Sequence, residues 1–173
     1  MARPRKPYKP PIPRQRQKLI KLPVIFRYTP ERDRELKELP KAYVEAIQQG
    51  VAGEHQWITL VYRLYIGMGL IPYLSDESGQ QTLLVLVPAL QSLYTMGLRY
   101  HDTYTFAFEG EELDNVMEAL DLVNALQDLT ERKQHRDSYQ QVSPLIGGFD
   151  VTMTNLKQEC AKHSIPDPAS SPP

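Results

Sequence analysis

The chain reads as mainly α, a bundle of four or five helices packed largely antiparallel, with a short extended segment near residues 104–108 and disordered termini. Three observations lead there. Apolar residues recur at spacings of three and four through most of residues 39–127, as one face of a helix requires. Helix-starting residues precede these runs at Thr29-Pro30-Glu31, Ser75-Asp76-Glu77 and Gly110-Glu111-Glu112. Glycine and proline punctuation at residues 50–53 and 69–75 leaves connections short enough for antiparallel neighbours.

The elements follow in order. Residues 1–22 form a basic arm in which Pro4, Pro7, Pro10, Pro11 and Pro13 remove amide donors and fix φ, so an extended, polyproline-like disordered segment is expected. Residues 23–143 are the helical body. Its first stretch, 23–28, is apolar and suits docking as a strand or an extended strap. A helix or helical turn starts at Pro30, and Pro40 restarts the pattern, after which Leu39, Tyr43, Ala46 and Ile47 share a face up to Gly50. Trp57, Leu60, Val61, Leu64, Tyr65 and Met68 make a broad stripe that predicts a helix over 54–68. A bent helix is expected from Ser75 to about Tyr100, with Leu83, Leu84, Val87, Leu90, Leu93, Tyr94 and Leu98 inward and Pro88 forcing the bend. Tyr104, Phe106 and Phe108 alternate with Thr105 and Ala107, the period of an extended segment. Leu113, Val116, Met117, Leu120, Val123, Asn124, Leu126 and Gln127 then trace another helix, which either runs to about Arg136 or restarts at Thr130. Residues 128–141 are nearly all polar: a solvated helix, a thinly packed one, or one awaiting a partner. Residues 144–173, with Gly147-Gly148 and a Pro/Ser-rich end, read as a flexible tail. The expected core is Trp57, Leu60, Leu64, Leu90, Leu93, Leu113, Met117 and Leu120.

At 173 residues and 41% hydrophobic, the chain suits one ordinary domain plus tails. The lone Cys160 cannot form an internal disulfide, and no Cys/His spacing suits zinc, which favours a reducing, cytoplasmic setting. The basic start lacks the apolar stretch of a signal peptide. The most apolar region, 58–74, is interrupted by Arg63, two glycines and Pro72, so it reads as core and no membrane association is expected.

Catalytic patterns are missing. No serine or cysteine sits on the tight glycine-rich turn that nucleophile families use. Gly67-Met68-Gly69 closes an amphipathic run without a preceding strand, which marks a helix terminus, not a phosphate loop. The histidines His55, His101, His135 and His163 have no ligand spacing, and His101-Asp102 reads as a polar turn. Glu109, Glu111, Glu112 and Asp114 could hold Mg²⁺ or act as acid and base, but a helix N-terminus explains most of them. The aromatics at 104, 106 and 108 lack the interleaved basic residues of a base-stacking platform, so packing is expected. No metal, cofactor or catalytic residue is assigned, and no enzymatic activity is expected.

Charge is the strongest functional signal. Eight of the 20 Lys and Arg (Arg3, Arg5, Lys6, Lys9, Arg14, Arg16, Lys18 and Lys21) lie in the first 21 residues, which hold no acid. The remaining 12 face 21 Asp and Glu. A +8 arm is thus joined to a −9 body. Such an arm points to an electrostatic partner, either a polyanion or the protein's own acidic body; on the first reading it neutralises phosphates, and those eight residues are the expected nucleic-acid contacts.

Three stretches together resemble a family of small, uncharacterised phage and prophage proteins. They are Met1-Ala2-Arg3-Pro4-Arg5-Lys6-Pro7-Tyr8-Lys9-Pro10; Gly50-Val51-Ala52-Gly53 with Trp57 four residues on; and Tyr104-Thr105-Phe106 followed by Gly110-Glu111-Glu112-Leu113. The likeness covers about residues 1–140 in order and spacing; residues 11–30 and the extension after Gln141 depart from it. It implies a phage-encoded, mainly helical protein of the host cytoplasm, with no catalytic residue to carry over. The resulting expectation is a non-enzymatic accessory protein whose arm binds DNA, RNA or a nucleoprotein complex while the helical body binds a host or phage protein. The alternative is an inhibitor or adaptor acting on a host protein, such as a defence protein, its acidic body mimicking nucleic-acid charge.

Overall fold

The structure, a computed structural model, describes residues 30–163. The basic arm with its eight Lys and Arg, the 23–28 strap and residues 164–173 lie outside the described residues. Helix α1, Pro30–Gln48, starts at the expected proline and continues through Pro40 without a break. Its inner stripe is Pro40, Val44 and Ile47. Leu39, expected inside, is 45% exposed because it sits about 100° around the helix from Pro40. The helix closes at Gly50 (φ 70°): Gly50 N–H donates to the Ile47 carbonyl and Val51 N–H to that of Ala46, a glycine-dependent stop.

Helix α2, Glu54–Leu70, is the centre of the molecule and packs against α1 and all the helices that follow. Trp57, Leu60, Val61, Leu64, Ile66 and Leu70 are buried along it, and Trp57 Nε1–H donates to the Leu93 carbonyl at 3.0 Å. A 3-10 turn, Ile71–Tyr73, leads to Ser75, whose Oγ accepts from Ser78 N–H and starts α3, Asp76–Thr103. Pro88 lies inside this 28-residue helix. The buried face of α3 is Leu86, Ala89, Leu90, Leu93, Met96 and Gly97, so Leu83, Leu84 and Val87 are not core. The run Leu83-Leu84-Val85-Leu86-Val87 is apolar on every side, and only the neighbouring helices decide which side turns inward.

Tyr104, in the left-handed region at φ 54°, caps α3 and is 81% exposed. The connection that follows forms no strand; Phe106 alone is fully buried, its ring stacked 4.0 Å from that of Tyr100 and 5.8 Å from that of Trp57. Helix α4, Glu112–Leu129, buries Val116, Ala119, Leu120, Val123 and Leu126, which leaves the expected core residues Leu113 and Met117 half-buried at the edge. Thr130 is extended, and α5, Arg132–Val142, begins there, which decides the restart over one long helix. Despite its polarity α5 is packed: Tyr139 and Val142 join the core, and Ser138 Oγ–H donates to the Ile66 carbonyl at 2.9 Å.

Residues 149–162 correct the expectation of a tail. After the 3-10 turn Ser143–Leu145, Gly148 takes an extended conformation at the N-cap of α6, Phe149–Lys162. Thr152, Leu156 and Cys160, four apart, are buried against α2 and α3, and Phe149 packs on Trp57 with ring centres 5.1 Å apart. The fold is mainly helical, with six α-helices among the described residues instead of four or five.

Candidate functional site

The described acidic and basic groups are mostly committed to structure. Arg99 holds both Glu112 oxygens at 2.8 and 2.6 Å and also donates to the Ala107 carbonyl, clamping the 104–109 connection to α4. The Glu112 contact pushes the Arg99 guanidinium still higher, so it stays charged. Glu109 Oε1 lies 3.4 Å from Arg99, while Glu111 and Asp114 point to solvent. The four carboxylates therefore do not converge. His101 and Asp102 are both exposed, and among the described residues no group of three or more His, Cys, Asp or Glu could hold a metal ion. Gly67 and Gly69 sit inside the packed part of α2: a Cβ on Gly67 would strike Val123 and Leu86, and one on Gly69 would strike Ser138. Close helix packing, not phosphate, explains both.

Buried polar groups tie helices together. Arg63 of α2 donates to Asn124 Oδ1 at 2.8 Å and to Gln127 Oε1 of α4. His135 Nε2 lies 2.7 Å from Thr130 Oγ1 and 3.3 Å from the Gln127 carbonyl; Thr130 spends its own proton on Leu126, so Nε2 carries the histidine proton. The Tyr65 hydroxyl is buried without a hydrogen bond, and its ionisation is pushed far up by burial and by the neighbouring Glu159 and Cys160.

Among the described residues, an open groove of about 560 Å³ lies on the outer side of α3. Leu83, Leu84, Val87 and Pro88 form its apolar side; Gln91, Ser92, Thr95, Glu112, Asn115 and His163 complete it. Leu84 is 76% exposed. Pro88 has no N–H, so the Leu84 carbonyl lacks its helical donor. Ser92 and Thr95 give their protons to the Pro88 and Gln91 carbonyls, and Asn115 donates to Ser92. Gln91 Oε1 is buried and accepts nothing. The groove thus joins an aliphatic wall to polar side chains, within the usual size range of binding clefts of about 300–1,000 Å³. The sequence reading missed it because Leu83, Leu84 and Val87 fitted an inward face; the exposed Pro88 within that face was the available signal.

Comparison with protein-family models, curated proteins and solved structures gives no match for this chain.

Proposed function

We propose that the protein is a non-enzymatic accessory protein, phage-encoded as the resemblance implies, in which polyanion binding and protein binding are divided between two parts of the chain. The arm, through Arg3, Arg5, Lys6, Lys9, Arg14, Arg16, Lys18 and Lys21, takes DNA, RNA or a nucleoprotein complex. The helical body, a bundle in its general packing, takes a protein partner in the cytoplasm.

The observation that carries this reading is charge segregation. Residues 30–163 hold 11 Lys and Arg against 20 Asp and Glu, so phosphate attraction has to come from the arm. Several body cations are already committed: Lys37 to Asp128, Lys41 to Asp121, Arg99 to Glu112 and Lys162 to Glu159. The α3 groove supports the second half of the reading, since an aliphatic wall at a solvent-exposed helix face is what a protein partner covers.

The test is fluorescence anisotropy with labelled duplex DNA and single-stranded RNA, comparing the full chain with one lacking residues 1–21. Eight phosphate contacts give a log–log salt slope of about −7 on duplex DNA, hence roughly 10⁴-fold weaker binding at 200 than at 50 mM salt. The shortened chain is expected to bind neither probe at 50 mM. Equal binding by both chains at that salt removes the polyanion role from the arm.

A further inference from the structure

We propose that the outer face of α5, through Arg132, Lys133 and Arg136, is a second contact surface for the phosphates of the nucleic acid that the arm takes. The inference rests on the arm reading and extends it into the folded body. All three side chains are exposed. At 100° per residue they and Gln140 fall within an arc of about 100°, clear of the buried stripe of His135, Ser138, Tyr139 and Val142. Asp137, the one acid of the helix, lies at the edge of that arc, and its carboxylate is 3.7 Å from Arg136, beyond hydrogen-bond length.

Charge within the body is sorted by helix. Helix α4 carries Glu112, Asp114, Glu118, Asp121 and Asp128 and no Lys or Arg, whereas α5 carries its three cations against Asp137. Those cations do not serve their own helix. Arg132 and Lys133 stand in its first turn, where no acid lies and the positive end of the helix repels them, with Glu131 at the N-cap offsetting part of this. A phosphate relieves that repulsion. The surface also lies at the end of the body where the arm joins it. Lys37 pairs with Asp128 and Lys41 with Asp121, so α1 runs antiparallel to α4, and its first residue, Pro30, lies toward the end of α4 from which α5 starts. A polyanion held by the arm is thus brought to the α5 end. The net negative charge of the body keeps α5 from capturing nucleic acid by itself, so arm and helix act together.

The test is the salt dependence of duplex DNA binding by the full chain, read by fluorescence anisotropy. Three contacts added to the arm's eight steepen the log–log slope from about −7 to about −10. Arg132→Gln, Lys133→Gln and Arg136→Gln together should return it to about −7, and glutamine keeps an exposed helix position helical. Arg136→Gln alone should flatten the slope by about 0.9, which reads the same contact through a single exposed change. Lys41→Gln, Lys157→Gln and Lys162→Gln remove the same charge from α1 and α6 and should leave the slope near −10. A slope that the α5 substitutions do not change overturns the proposal while the arm reading stands. So does equal flattening by both sets, which would make net charge, not place, the cause. Equal binding by the chain lacking residues 1–21 removes the arm reading, and the joint surface with it.

Discussion

Replacing Phe106 by alanine should show how the connection between α3 and α4 is held. The ring is fully buried, lies 4.0 Å from Tyr100 at an interplanar angle of 5°, and stacks 5.8 Å from Trp57. Removing it loses about 1.5–3 kcal/mol of transfer free energy. A further cost depends on how far the walls collapse, about 24 cal/mol for each Å³ left empty. Trp57 is fixed by its hydrogen bond to Leu93 and Tyr100 by its position on α3, so little collapse is available. The expected loss is about 3–5 kcal/mol, the range found for buried Phe→Ala changes. With a urea dependence of about 2 kcal/mol per molar, the midpoint falls by about 1.5–2.5 M at unchanged slope. Urea unfolding followed by far-UV circular dichroism reads this directly. A midpoint shift under about 0.5 M at the same slope would mean that Phe106 is not the pin between the connection and the α2–α3–α6 core.

Other outcomes follow from the same packing. Leu156→Ala should cost about 2–5 kcal/mol, because Leu156 is fully buried where α6 meets the core; a loss under about 0.5 kcal/mol in urea unfolding would detach α6. Gly67→Ala should cost about 1–3 kcal/mol by overpacking, since its Cβ meets Val123 and Leu86; an unchanged midpoint would contradict that contact. Tyr65→Phe should be neutral or slightly stabilising at pH 8, where only an unpartnered hydroxyl is lost. Because burial raises the Tyr65 pKa above its unfolded value of about 10, its contribution is complete below about pH 10 and is lost as pH rises further. Wild type should therefore lose more stability than Tyr65→Phe between pH 8 and pH 11, and parallel pH profiles would refute the assignment.

Much of the helical pattern was legible where local chemistry and tertiary packing agree. Ser75 predicts the start of α3 because its side chain satisfies a free N–H, and Gly50 predicts the end of α1 because only a left-handed turn closes it there. Trp57, Leu60 and Leu64 repeat at helical spacing and are buried. Legibility failed where apolar spacing is ambiguous or sparse. Helix α6 buries only Thr152, Leu156 and Cys160, with Phe149 and Met153 half-buried against the core, and Gly147-Gly148 before it imitates the end of a domain. Helix α5 reads as solvated because two of its four buried members, His135 and Ser138, are polar and pair with neighbouring oxygens, a role that hydropathy cannot register. The groove was hidden for the opposite reason: Leu83, Leu84 and Val87 look like core until the phase of α3 is known. The arm's charge, by contrast, needed only counting.

The division of labour between arm and body is tested most directly by capture after nuclease digestion. The full chain and the chain carrying Leu84→Glu serve as immobilised baits. The account predicts one protein retained in stoichiometric amount by the full chain without nucleic acid, and not by Leu84→Glu. Loss of every partner on digestion, or equal retention by Leu84→Glu, would contradict it.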